Sequence, residues 1–494
     1  MNSSTIPCRK LAGLFSLLIF AGPLARAAAA PAPDNAAALL AITPRTNLPP
    51  AAEDPLRPKN TRQLKPDRWT DDVGIDDNGY IYNLYWRAST GVWSNYDETK
   101  ANPFPLLPDP LVLKNGQSVK DADTWWKQRR PEILSDFLTE VYGRIPANTP
   151  KITWEVTAVN ERGGVRTKTI VGHIDNSAYP DATPTINLTL SVPANASGPV
   201  PVMVIVSPSS AAPPDWTPAP VAVAPWPRVF YTGRTRPDAP PRGIAAPGPM
   251  QQILARGWGC CFFDTISLQA DSPSGMTRGI VGLMNQGRPR SSPDAWGTLT
   301  AWTWGLSRSI DYLETDPDVD AKHLGVEGHS RWGKTALWAA ALDQRWVIVY
   351  ASCSGEGGAK LLRRNYGETT DKIAGSHWMA DSFRKYGGHW NDLPVDTNEL
   401  IALVAPRPAF ITGATQDPNS DSHGEFLAAV GAGPVYRLLG KKDLGTTEMP
   451  EPDVALVSGE VAFREHVGAH SDIPDWPIFL EFASKYFRAP VAKN

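Results

Sequence analysis

Cysteine and histidine are scarce in this chain: 4 and 8 among 494 residues. No Cys and His fall at zinc-site spacing, and so few thiols cannot make a disulfide-dense scaffold. Charge of either sign is not in excess. There are 48 basic and 51 acidic residues, a net charge of −3. No basic surplus points to nucleic acid, and no acidic tract suggests a solvated tail. Past residue 30 no apolar run is long enough to span a membrane. No internal repeat is found. Hydrophobic residues make up 42%, which is globular composition in a chain long enough for one large domain or two ordinary ones.

The N-terminus differs from the rest. Arg9 and Lys10 precede the apolar run from Leu11 to Ala21, and Ala25-Arg26-Ala27 offers an A-x-A cleavage site. This is the pattern of a secretory signal peptide over residues 1–27. Its removal takes Arg9, Lys10 and Arg26 and no acid, shifting the net charge from −3 to −6. The expectation is an exported protein, periplasmic or secreted. Cys260, Cys261 and Cys353 remain after Cys8 is lost. Neighbours in a strand point to opposite faces. One of Cys260 and Cys261 can pair with Cys353, or all three stay as buried thiols. Residues 28–64, rich in Ala and Pro, read as a leader or linker. Residues 65–494 read as a single domain, opening with an aromatic-rich extension (Trp69, Tyr80, Tyr82, Tyr85, Trp86, Trp93, Tyr96) that packs onto the body.

From residue 121 the pattern alternates. Residues 121–142 look helical. Residues 165–174 and 185–192 are antiparallel strand candidates. Apolar, β-branched runs at 200–207, 258–264, 324–327, 347–353 and 408–414 read as buried parallel strands. Helix candidates at 295–316, 331–343 and 421–431 lie between them. Strands alternating with helices predict a mostly parallel central sheet in a three-layer α/β sandwich. The Pro-rich stretch 208–249 is long for a strand-to-helix connection and reads as a functional or mobile insert.

Ser330 stands out. It follows the apolar Leu324 to Glu327 through Gly328, and a helix pattern begins directly after it. That is the setting of a nucleophile elbow, although the second glycine of G-x-S-x-G arrives one position late, at Gly333. The structural alternative is a serine capping a helix. A serine nucleophile needs a base, and in this fold the chain order is Ser, acid, His. His466 and His470 lie in the C-terminal stretch; His470, after Gly468-Ala469, has loop context, while His466 belongs to the end of a strand. Two acids follow carboxyl ends of strands, Glu356 and Asp417. Either can orient an imidazole, and the sequence does not choose.

At these residues the chain resembles the glucuronoyl esterases, carbohydrate esterase family 15, and especially the bacterial branch. The likeness runs from Asn95 to Phe487. It is carried by Asn95-Tyr96-Asp97-Glu98, Leu107-Pro108-Asp109-Pro110-Leu111, Asp294-Ala295-Trp296-Gly297, Trp304-Gly305-Leu306-Ser307-Arg308, Gly328-His329-Ser330-Arg331-Trp332-Gly333-Lys334, Ser354-Gly355-Glu356-Gly357-Gly358, Arg363-Arg364-Asn365 and Ala405-Pro406-Arg407-Pro408.

The resemblance implies an α/β-hydrolase fold and a serine esterase. Ser330 would be the nucleophile and His470 the base. Glu356 resembles the acid position of the fungal type, Asp417 that of many bacterial members. Arg331 would help hold the oxyanion, Lys334 would meet uronate hydroxyls, and Glu368 would contact the sugar. One departure stands at Asn419, where the family often carries a tryptophan against the uronate; Trp216, Trp226 or Tyr231 of the insert are candidates to replace it. The implied substrate is an ester of 4-O-methyl-glucuronic acid, joining glucuronoxylan to lignin alcohols. The resemblance implies no metal or cofactor; the charge balance and the lack of long apolar runs argue against a nucleic-acid or membrane partner, and a monomer is expected. The rivals are an acetyl or methyl esterase acting on another polysaccharide, and a non-catalytic carbohydrate-binding protein.

Overall fold

The structure, a computed structural model, describes residues 107–208, 247–374, 376–387 and 389–487, with Glu98, Ala101 and four short strands between residues 73 and 93. The expected signal peptide, the leader and nearly all of the Pro-rich insert, with Trp216, Trp226 and Tyr231, lie outside the described residues.

A ten-stranded sheet forms the centre. Its strands are β1 (Ile152–Arg162), β2 (Val165–Ile174), β3 (Thr185–Pro193), β4 (Val200–Ser207), β5 (Gly259–Asp264), β6 (Val319–His329), β7 (Trp346–Ser352), β8 (Ala409–Ala414), β9 (Ala455–Leu456) and β10 (Val461–His466). Their spatial order is β9-β10-β8-β7-β6-β4-β5-β3-β2-β1. Every pairing from β10 through to β5 is parallel. The remaining neighbours at both edges are antiparallel.

The parallel strands read as unbroken apolar runs because both of their faces are covered. In β4, Val202, Val204 and Val206 join one core, while Met203 and Ile205 join the other. The larger core packs against a continuous helix α1 over 122–141 and against α2 (Thr298–Leu313), α3 (Arg331–Leu342) and α4 (Ser422–Leu438). Helix α1 contains two π-helical stretches, Trp125–Arg129 and Phe137–Val141. The smaller core packs against the helix Pro249–Ala255 and α5 (Trp476–Ala483), with Trp476, Phe479 and Phe482 fully or nearly buried. Fully burying one such ring contributes about 2–3 kcal/mol. Two helical layers on a mostly parallel sheet make the expected three-layer sandwich.

Some details differ from the sequence reading. β1 was not anticipated; most of its residues are exposed, so it shows no apolar run. Helix α4 continues past Gly431 and through Pro434 to Leu438. Its buried residues Ala432, Val435 and Tyr436 hold the extension onto the core. Cys260, Cys261 and Cys353 are all free buried thiols, so the disulfide alternative does not form.

Candidate active site

The carboxyl ends of β6, β7 and β8 and the loop after β10 converge on one point. Ser330 is the single residue between β6 and α3. Its φ of 61° and ψ of −127° lie outside the comfortable regions for a residue with a Cβ. Such a conformation costs about 1–3 kcal/mol and persists only where packing imposes it. The packing is visible in the glycines. A Cβ at Gly328 would stand 2.1 Å from the Trp332 carbonyl oxygen, and one at Gly333 2.9 Å from the Gly328 oxygen. The tight approach therefore falls between 328 and 332–333. This explains why a glycine one position late still serves the turn. The Ser330 N–H donates to the Ser352 carbonyl at 2.8 Å, tying the turn to the end of β7.

His470 lies in the loop after β10. Its Nδ1 is 2.5 Å from Asp417 Oδ2. Its ring centroid is 4.2 Å from that of His329, the residue before Ser330. Asp417, in the loop after β8, is nearly buried. Burial works to raise its carboxyl, but the His470 hydrogen bond and charge outweigh it and hold the group below its ordinary value. His329 is also driven down, to about 4, by burial and then by the charge of His470. His466 is occupied elsewhere: Nδ1 pairs with Asp475 at 2.8 Å, and Nε2 lies 3.1 Å from the Ala469 carbonyl. It props the loop that presents His470.

The structure does not bring Glu356 to His470. Glu356 is fully buried and pairs with Lys360 Nζ at 2.6 Å, and the Thr370 hydroxyl donates to it at 2.6 Å. Burial raises its carboxyl to about 7. The Lys360 ammonium also donates to the Leu361 and Arg364 carbonyls, so the pair staples its own loop. The group that does reach the histidine from the β7 loop is Cys353. Its sulfur and the ligand atoms of Asp417 and His470 all lie within 4.8 Å of one another. Among the described residues this trio is the one grouping that offers such atoms to a metal ion. In the sequence Cys353 offers only a disulfide partner or a buried thiol.

Arg331 and Lys334 stand one turn apart on α3. Arg331 pairs with Asp271 at 2.6 Å, and its guanidinium lies 5.0 Å from the centre of the Trp378 ring. The buried Lys334 ammonium donates to the Ser354 carbonyl at 2.5 Å and to Glu368 at 3.1 Å, and lies 6.0 Å from the same ring. Burial would raise the Glu368 carboxyl, but the charges of Lys334 and Lys372 prevail and lower it. The side chain of Asn419 accepts from Lys372 at 3.1 Å, and its carbonyl accepts from the Glu368 N–H at 2.9 Å. Glu368 and Asn419 are thus held together beside Lys334. Asp271, His377 and Trp378 escaped the sequence reading. They sit on loops with no local motif, and only the fold joins them.

A hydroxyl on a strained strand-to-helix turn, an imidazole oriented by a carboxylate and a cationic wall make the equipment of acyl transfer. Together with the three-layer sheet, they define a carboxylic ester hydrolase of the α/β-hydrolase fold. Comparison with known proteins narrows the class. A family model described as "Glucuronyl esterase, fungi" matches residues 290–440. A carbohydrate esterase from an unknown prokaryotic organism is 36% identical over 421 residues, covering 82% of this chain and 96% of that protein. The structure of a glucuronoyl esterase of carbohydrate esterase family 15 from Teredinibacter turnerae superposes with a TM-score of 0.69 at 34% identity, covering 79% of this chain and 92% of the other. A 4-O-methyl-glucuronoyl methylesterase of Cerrena unicolor is 27% identical over 326 residues, 63% of this chain and 56% of that protein. The chain belongs to carbohydrate esterase family 15, the glucuronoyl esterases.

Proposed function

We propose that this protein is an exported, monomeric serine esterase that cleaves esters of 4-O-methyl-glucuronic acid, such as those joining glucuronoxylan to lignin alcohols. The observation that carries the reading is the 2.5 Å contact between His470 Nδ1 and Asp417, set beside the elbow that holds Ser330. The carboxylate fixes the tautomer that leaves Nε2 free to accept a proton. Ser330 Oγ attacks the ester carbonyl carbon as its proton passes to His470. The negative charge that develops on the carbonyl oxygen is met by the Arg331 guanidinium and backbone N–H groups. As the tetrahedral intermediate collapses, the alcohol leaves with the proton from His470. Water, deprotonated by the same imidazole, then hydrolyses the acyl-enzyme and frees the uronic acid.

Recognition of the acyl part falls to the α3 wall. An ammonium has three donors, and Lys334 commits two of them to Ser354 and Glu368. The third is available to a sugar hydroxyl. Asn419 is tied to Lys372, so the aromatic surface for the uronate comes from Trp378, the ring nearest both cations among the described residues. Glu356 serves structure rather than chemistry.

One residue favours a second reading. With Asn419 where a ring could grip the uronate, an acetyl esterase acting on a polysaccharide uses the same Ser330, His470 and Asp417. Initial rates on benzyl glucuronate and on acetylated xylan separate the two. The uronate reading predicts turnover of the first well above the second; the reverse preference would overturn it.

A further inference from the structure

Asp271 lies on the loop after β5, far in sequence from Ser330, yet its carboxylate gathers three donors around the cationic wall. Its Oδ2 accepts from Arg331 at 2.6 Å, and its Oδ1 faces both His377 Nε2 at 2.8 Å and Trp378 Nε1 at 2.7 Å. The His377-Trp378 segment is itself clamped. The N–H groups of Thr298 and Leu299, at the start of α2, donate to the His377 and Trp378 carbonyls at 3.0 and 3.2 Å. A Cβ at Gly297 would stand 2.1 Å from the Trp378 oxygen. A continuous line of contacts thus runs from the first turn of α2, through two loops, to a guanidinium beside the elbow.

This line matters because Arg331 needs it. An arginine side chain carries about 2 kcal/mol of rotamer entropy, and the Arg331 side chain is 35% exposed. Its Nε is buried with no hydrogen-bond partner among the described residues. Left to itself the guanidinium would sample several positions, of which few face a carbonyl oxygen held at Ser330. A partly exposed ion pair adds little stability, so what Asp271 supplies is position. We infer that Asp271 is a positioning residue that fixes the Arg331 guanidinium, together with the Trp378 ring, for its task at the oxyanion. The inference rests on the proposed role of Arg331.

A double-mutant cycle on the full chain tests it, with kcat and KM for benzyl glucuronate measured for wild type, Asp271→Asn, Arg331→Ala and the double variant. Arg331→Ala should lower kcat by about 100-fold or more, as for other lost oxyanion donors. Asp271→Asn should lower kcat at least ~10-fold with a melting temperature close to wild type. In the Arg331→Ala background, Asp271→Asn should cost almost nothing further, because the residue it positions is gone. Two impaired single variants whose losses multiply fully would overturn the inference while leaving the role of Arg331 intact. A wild-type kcat for Arg331→Ala would instead remove the premise. If Asp271→Asn does not fold, Asp271→Glu keeps the charge and moves it by one methylene. A wild-type kcat for that variant counts against a positioning role.

Discussion

Replacing each of the two candidate acids with its amide should separate chemistry from scaffold. In Asp417→Asn, the amide can donate to His470 Nδ1 across the present 2.5 Å contact. The imidazole then carries its proton on Nε2, where it cannot accept one from Ser330. In a triad of this kind the tautomer switch costs on the order of 10⁴-fold in kcat, about 5 kcal/mol of transition-state stabilisation. The fold should survive, because the amide fills the same space. Glu356→Gln should do the opposite. Lys360 would lose its carboxylate at a site where both side chains are fully buried, keeping only the Leu361 and Arg364 carbonyls. Breaking a buried pair costs roughly 3–5 kcal/mol. Its melting temperature should fall by several degrees while the folded fraction turns over near the wild-type rate. The assay is kcat on benzyl glucuronate beside a thermal melt for each variant. A Glu356→Gln enzyme that loses activity at an unchanged melting temperature, with Asp417→Asn still active, would refute the assignment.

Other consequences reach further from the dyad. Gly328→Ala would force a methyl into the 2.1 Å gap to the Trp332 oxygen; overpacking of this kind costs about 1–3 kcal/mol or more, so the melt should drop and activity with it. Trp378→Ala should raise KM for benzyl glucuronate while leaving KM for a simple acetate ester unchanged; equal changes on both esters would count against a uronate contact. Glu425 Oε1 accepts from the Ser354 N–H and hydroxyl and the Gly355 N–H, and burial raises its carboxyl from 4.5 to about 8. Because the folded value is the higher one, its contribution to stability is complete below pH 4.5 and is lost as pH climbs through 8. Glu425→Gln should therefore flatten the fall in melting temperature between about pH 5 and 9; an unchanged slope would contradict the assignment.

Much of the fold was legible because its signals are local. The runs of β4, β7 and β8 are buried on both faces, so composition alone betrays them. The elbow announces itself through a strand, a glycine and a helix start within a few residues. β1 gave no such signal, being an edge strand whose side chains mostly meet solvent. The choice of acid was illegible for a different reason. Glu356 and Asp417 both follow strand ends, and only the fold shows that one faces Lys360 and the other His470. Cys353, three residues before Glu356, is what the β7 loop actually turns toward the histidine. Asp271 and Trp378 carry no motif; they meet Arg331 through contacts between distant loops, a relation that no periodicity encodes.

The central claim is that Ser330 is the acyl-accepting nucleophile of a glucuronoyl esterase. The most direct measurement is the initial rate on benzyl glucuronate for wild type and Ser330→Ala, with a thermal melt of each. Wild type should turn the ester over, and Ser330→Ala should show no rate above background at a melting temperature equal to or above wild type, since alanine removes the hydroxyl and leaves the glycine packing of the elbow in place. Turnover by a folded Ser330→Ala protein would contradict the account.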